Sequence, residues 1–168
     1  TNNGPKVYVN GSEVISGSQG FNLNTWTHFA LVRQSGTLTM YVAGQNVGSA
    51  TVNQDLGGAK PLVIGNNWNQ TLGLTGYIDE FRVYKGSAVY TGNFTPPTVG
   101  AVGNANTVLV ANFDGNNGST IFLDKNLIAQ DIRFSNGATA TAFTLVDYAD
   151  FGAEAVSYTH LRAHETVE

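Results

Sequence analysis

Few side chains in this chain can do acid–base work. Twelve carboxylates and three histidines are spread over 168 residues, and there is no cysteine, so disulfides and thiolate metal sites are excluded. Asp79 and Glu80 are adjacent in a stretch of extended pattern and therefore point to opposite faces of a strand. Two carboxylates acting on one glycosidic bond must instead flank it together. Asp147, Asp150 and Glu154 have spacings that suit a turn or a helix, in a segment without apolar periodicity, where solvated charge is the expected role. His28 lies in mid-strand beside Trp26, and a structural, hydrogen-bonded imidazole is preferred there over a catalytic one. His160 and His164, at i and i+4, could face one cation on a helix, but no carboxylate stands between them in the H-E-x-x-H manner. Calcium takes hard oxygen ligands, for which Asp79 and Asp114 are candidates, although no D-x-D-x-D loop exists.

Recognition chemistry is better represented. Trp68 stands in Gly65-Asn66-Asn67-Trp68-Asn69-Gln70-Thr71, a polar loop between two apolar runs with no periodicity to explain an indole. An aromatic face can stack on the apolar face of a pyranose while amides read its hydroxyls, which makes Asn66, Asn67, Trp68 and Asn69 candidate glycan-binding residues. The alternative is that Trp68 folds back as a lid over the edge of the fold. Trp26 is expected in the core, where truncation to alanine would cost about 3–5 kcal/mol.

The elements that must carry these groups are strands. Hydrophobic residues make up 42% and aromatic residues 11%, with 20 glycines, which fits a folded domain and neither a disordered chain nor collagen. No apolar run approaches a membrane span, so no membrane insertion is expected. Charge is uneven: residues 1–106 hold 5 basic and 4 acidic residues, 107–156 hold 2 and 6, and the last twelve hold 1 and 2. No basic stripe exists for phosphate, so nucleic acid is not an expected partner. The polar complement is mainly Asn, Thr, Ser and Gln, which suits neutral sugars or plain solvation.

Period-two runs fill the first 98 residues. Lys6 to Val9 turns at Asn10-Gly11, a pair suited to a type I′ hairpin, and Val14-Ile15 returns. Trp26 to Arg33 has Phe29 and Leu31 on one face and Trp26, His28, Ala30 and Val32 on the other, so it should be central. Thr37 to Val42 places Leu38, Met40 and Val42 inward and Thr37, Thr39 and Tyr41 outward. Gln45 to Val52 returns after Ala43-Gly44. Pro61 to Gly65 reads as a short buried strand, and Gly76 to Tyr84 as another with a bulge or two apolar faces near Ile78 and Phe81. Y-V-x-G-x-x-V recurs at Tyr8 and Tyr41, as two similar hairpins or an ancestral repeat. Thr91 to Asn106 reads as a linker. Val108 to Phe113, Ile121 to Leu123 and Thr139 to Val146 resume strand character.

Four ordered blocks carry a resemblance: Asn24-Thr25-Trp26-Thr27-His28-Phe29-Ala30-Leu31-Val32-Arg33, Gly36-Thr37-Leu38-Thr39-Met40-Tyr41-Val42 with Gly44, Leu62-Val63-Ile64-Gly65, and Gly76-Tyr77-Ile78-Asp79-Glu80-Phe81-Arg82-Val83. Together they resemble concanavalin A-like, laminin-G-like jelly-roll domains. The run from Tyr84 through Tyr90 and Phe94 to Pro97 is similar to the variant found in bacteriophage tail and virion proteins. The resemblance implies an all-β fold, an antiparallel β-sandwich of jelly-roll type, used as a glycan-binding or adhesion module. It makes calcium a possible ligand and implies no other cofactor. Hydrolytic relatives use E-x-D-x-x-E or E-x-D-x-E, absent here, so no catalysis is expected.

The opening L-L-x-x-F-D-G and F-x-x-E-x-W strands of such domains do not precede Thr1, so the sandwich is expected to be incomplete at its N-terminus. The opening motif appears instead at Val108 to Gly115. The expected organisation is 1–98 as the C-terminal part of one jelly-roll domain, 99–106 as a linker, 107–156 as the start of a second module or a strand completing the first, and 157–168 as an artefactual tail resembling translated sequencing adapter. The expected role is attachment or assembly in a virion, with a cell-surface glycan or a neighbouring virion protein as partner. The alternative is a carbohydrate-binding module of a secreted bacterial adhesin or glycoside hydrolase, and so an extracellular location.

Overall fold

The computed structural model describes residues 4–56, 62–67, 69–98 and 104–113, together with the backbone of 121–123, 131–133 and 156–165. All regular elements among them are strands, and every pairing is antiparallel.

Three tight turns set the N-terminal half. β1 (Lys6–Val9) and β2 (Ser12–Ser16) are joined by Asn10 and Gly11, with φ of 49° and 79°. β3 (Thr27–Gln34) and β4 (Thr37–Val42) are joined by Ser35 and Gly36 at 48° and 75°, and β4 and β5 (Gln45–Thr51) by Ala43 and Gly44 at 49° and 78°. Consecutive positive φ values are the type I′ signature, whose twist matches that of the strands it joins. The repeated Y-V-x-G therefore marks the same turn twice.

The main sheet runs β5-β4-β3-β11-β7-β8, where β7 is Phe81–Lys85, β8 is Thr107–Ala111 and β11 is Val156–Glu165; β6 (Gly76–Tyr77) pairs with β11. β9 (Ile121–Leu123) and β10 (Asp131–Arg133) form a separate pair. Register fixes the two faces of the large sheet. Leu31 and Val83 both stand opposite position 158, and Ala30 and Arg82 both stand opposite position 159, so each pair shares a face.

On the Leu31 face, Val9 and Ile15 of the β1–β2 hairpin pack over Leu38, Met40, Val42 and Val47, while Ile64 packs over Phe81, Val83, Leu109 and Ala111. On the Ala30 face, Ala88, Tyr90 and Phe94 cover Ala30, Val32 and Tyr41. β3 is thus buried on both sides, as its pattern requires. Tyr41, expected outward, is only 3% exposed because the 88–94 segment lies over it.

Other expectations need adjustment. Residues 62–65 are not a strand: Val63 makes an isolated bridge, and Gly65 at φ 73° turns the chain into the loop. The 76–84 run splits into β6 and β7 where Glu80 takes φ 56°, and β7 is buried on both faces. Residues 91–98, read as part of a linker, run against the β4–β5 turn. There the Phe94 N–H donates to the Gly44 carbonyl at 2.9 Å, and the Asn46 N–H donates to Asn93 Oδ1 at 2.9 Å.

The segment expected as a tail supplies most of β11, which lies between β3 and β7. Two unpaired strand edges accept any extended, proline-free chain, because the pairing is made by main-chain groups. Thr139 to Val146, Asp147, Asp150 and Glu154 lie outside the described residues.

Candidate functional site

The Asn66 to Thr71 loop is held by its own amides. Asn67 Oδ1 accepts from the Thr71 N–H at 2.8 Å, and Asn66 Oδ1 accepts from the N–H groups of Asn67 and Leu72 at 2.9 and 3.2 Å. Thr71 Oγ1 donates to Asn69 Oδ1 at 2.7 Å, and the Leu74 N–H closes the loop on the Gly65 carbonyl at 2.7 Å. These asparagine oxygens satisfy main-chain donors that a loop would otherwise expose. Trp68 lies outside the described residues.

The adjacent acids have structural partners. Asp79 Oδ1 accepts from the Glu80 N–H at 2.8 Å, and Glu80 Oε2 lies 2.7 Å from an Arg82 guanidinium nitrogen. The Glu80 and Arg82 side chains are 15% and 6% exposed, so this pair is largely removed from water. Asp114 lies outside the described residues. Among the described residues, no three His, Cys, Asp or Glu side chains converge as a metal site.

Trp26 corrects an expectation. It is 45% exposed, because β3 begins one residue later and the turn at Leu23 and Asn24, with Asn24 at φ 55°, swings the preceding backbone outward. Its indole meets Tyr77, itself 60% exposed, with ring centroids 6.5 Å apart and planes tilted by 45°. Beside Trp26 opens a cleft of about 450 Å³ between the 19–28 segment and Pro96 to Thr98. Gln19, Asn22, Thr25 and Thr98 supply its amide and hydroxyl groups, and Pro96 and Pro97 part of its apolar wall. Among the described residues that line it there is no Lys, Arg, Asp or Glu.

His28 adjoins the cleft but is only 7% exposed. Its ring is held edge-on by Tyr90 and Phe94, at centroid distances of 5.9 and 5.2 Å, which is a packed structural setting. Gln19 and Asn22 in the cleft lining, and Tyr77 beside Trp26, were not singled out by the sequence. The available signal was Trp26 itself, placed at the very start of a strand directly after turn-forming residues.

A family model of the concanavalin A-like lectin/glucanases superfamily, of laminin-G type, matches residues 1–89. The chain belongs to that family. No match was found among curated proteins or among solved structures. Membership defines the class as a lectin-like β domain of the carbohydrate-binding or adhesion type. Among the described residues, no helix is long and apolar enough to cross a membrane.

Proposed function

We propose that this chain is a non-enzymatic glycan-binding, adhesion or assembly module of a phage tail or other virion structural protein. The observation that carries the non-catalytic part is the fate of the two adjacent acids within the family-matched region. Asp79 accepts a backbone N–H and Glu80 pairs with Arg82, so both acids have structural roles within the fold. Glycoside hydrolysis needs two carboxyl groups about 5–10 Å apart on either side of the scissile bond. Binding needs only aromatic faces and uncharged donors and acceptors, which the surface around Trp26 provides.

The tail assignment draws on the run from Tyr84 to Pro97. Its Tyr90 and Phe94 rings stack 3.5 Å apart over the sheet, so the residues that carry the narrower resemblance have a defined packing role. The family description spans lectins and glucanases, which favours as second reading a carbohydrate-binding module of a secreted bacterial adhesin or glycoside hydrolase.

The test is retention of the full chain on a panel of immobilised neutral and acidic glycans, with reducing ends assayed in parallel. Retention on at least one glycan without release of reducing ends is expected. Release that grows with time would overturn the non-enzymatic reading, and retention on none would overturn glycan binding. Genes flanking the reading frame that encode capsid or tail proteins would support the virion setting over the secreted one.

A further inference from the structure

We infer that the slot between β3 and β7 is a strand-exchange interface, filled in an assembled pair by the 156–165 strand of a second copy of this chain. Two features of the main sheet carry this. First, the slot is internal and is recognised through main-chain groups. β11 pairs antiparallel with β3 from Ser157 opposite Val32 to Ala163 opposite Thr27, and with β7 from Val156 opposite Lys85 to Thr159 opposite Arg82. An empty slot would leave the edges of two largely buried strands without main-chain partners, so a strand has to fill it. The pairing with β3 continues through a register shift between Thr159 and Leu161, so it does not depend on one strict alternation of side chains.

Second, β11 is joined to its sheet by a long connection. Two-residue turns tie β3 to β4 and β4 to β5, and strands joined in that way stay in one copy. β8 ends at Ala111 and β11 begins at Val156, the longest interval between consecutive strands of the main sheet. With β9 and β10 kept paired, residues 134–155 alone span up to about 70–80 Å when extended. A domain of 168 residues has a radius of gyration of about 15 Å, so that reach extends well into a neighbouring copy.

Reciprocal exchange preserves every strand pairing of the closed form. The two forms then differ mainly in loop closure, which weighs on a long loop, and in lost translational freedom, which concentration offsets. Crowded copies of an assembling structure would favour exchange. Exchange and glycan recognition are separate properties, and the failure of either leaves the other standing.

The chain has no cysteine, so introduced ones report alone. Single variants T27C, V32C, S157C and A163C of the full chain are mixed in pairs, unfolded in urea and refolded together under mild oxidation, at low micromolar and at near-millimolar protein. A disulfide between two different variants links two copies. T27C with A163C, and V32C with S157C, stand in register across β3 and β11. T27C with S157C, and V32C with A163C, are displaced by five residues along β3, about 17 Å and beyond disulfide reach. The expected result is a two-chain species that grows with protein concentration, in which in-register pairs cross-link about tenfold more than displaced pairs. The second in-register pair keeps the test decisive where one variant misfolds, as judged by its far-ultraviolet spectrum. Equal yields from in-register and displaced pairs would overturn exchange, because the copies would then meet through another surface. A chain that stays monomeric at the higher concentration would overturn it as well. The double variant T27C/A163C, oxidised when dilute, should close an internal disulfide, and its failure to do so would overturn the slot itself.

Discussion

At the scale of single residues, Gly11 and Gly44 form a natural control pair. Their φ values, 79° and 78°, are nearly equal, but their surroundings differ. A Cβ at Gly11 would meet open space, whereas one at Gly44 would run into the Phe94 carbonyl oxygen. Alanine at Gly11 should cost about 1 kcal/mol for the left-handed conformation, and alanine at Gly44 about 2 kcal/mol more, read by urea denaturation. Equal losses would show that the Phe94 contact yields freely. The same method separates Trp26 from the core. Trp26→Ala should cost about 1 kcal/mol, because the indole is already 45% exposed, whereas Met40→Ala, at 0% exposure, should cost about 2–5 kcal/mol. Burial also holds the Tyr41 phenol above its ordinary range. At Tyr90 burial raises the value first, Arg82 opposes it and Tyr84 adds to it. Both pKa values are raised in the folded state, so the stability they contribute is complete below the ordinary tyrosine value of about 10 and is lost as pH climbs through the raised ones. Ultraviolet titration of the native chain should show late phenolate formation relative to the denatured chain, and coincident curves would contradict that burial.

At the scale of elements, the Glu80–Arg82 pair ties the break between β6 and β7 to the covered face of the sheet. Glu80→Gln alone should cost about 3 kcal/mol, since it leaves a guanidinium short of a counter-charge away from water. The double replacement Glu80→Gln with Arg82→Met should cost less than the two single effects added together, measured as a double-mutant cycle. Additive losses would mean that the pair is not coupled. The strands themselves were largely legible: β4 has the bounds its alternation predicts, and β3 and β5 fall within a residue or so of theirs. Alternation reports burial against a single layer, which is why it failed at Tyr41. That ring alternates as if outward, yet it is covered by a segment almost fifty residues later that no local pattern announces. Leu62 to Gly65 failed for a different reason. Burial of Ile64 requires an apolar side chain but not an extended backbone, and Gly65 bends the chain at once.

At the scale of the whole molecule, the site was less legible than the fold. The Asn66–Asn69 amides have the right chemistry for sugars, but sequence cannot show that their oxygens already hold Thr71 and Leu72. Nor can it show that the rings of Trp26 and Tyr77, fifty-one positions apart, meet at 6.5 Å. The widest gap between sequence and structure is β11, whose residues, expected as a tail, lie between two strands buried on both faces. That placement predicts that deleting 157–168 lowers stability by more than about 1 kcal/mol and speeds hydrogen exchange in Phe81–Lys85, which lose main-chain partners. An unchanged denaturation midpoint would favour the artefactual tail that the resemblance to translated sequencing adapter implies. Recognition without chemistry is the central claim, and one sample can test it: a calorimetric titration of the full chain with the best-retained oligosaccharide, followed by analysis of that oligosaccharide after prolonged incubation. Saturable heat with the sugar recovered intact is the predicted result. Recovery of shortened products, or no heat with any retained sugar, would contradict it.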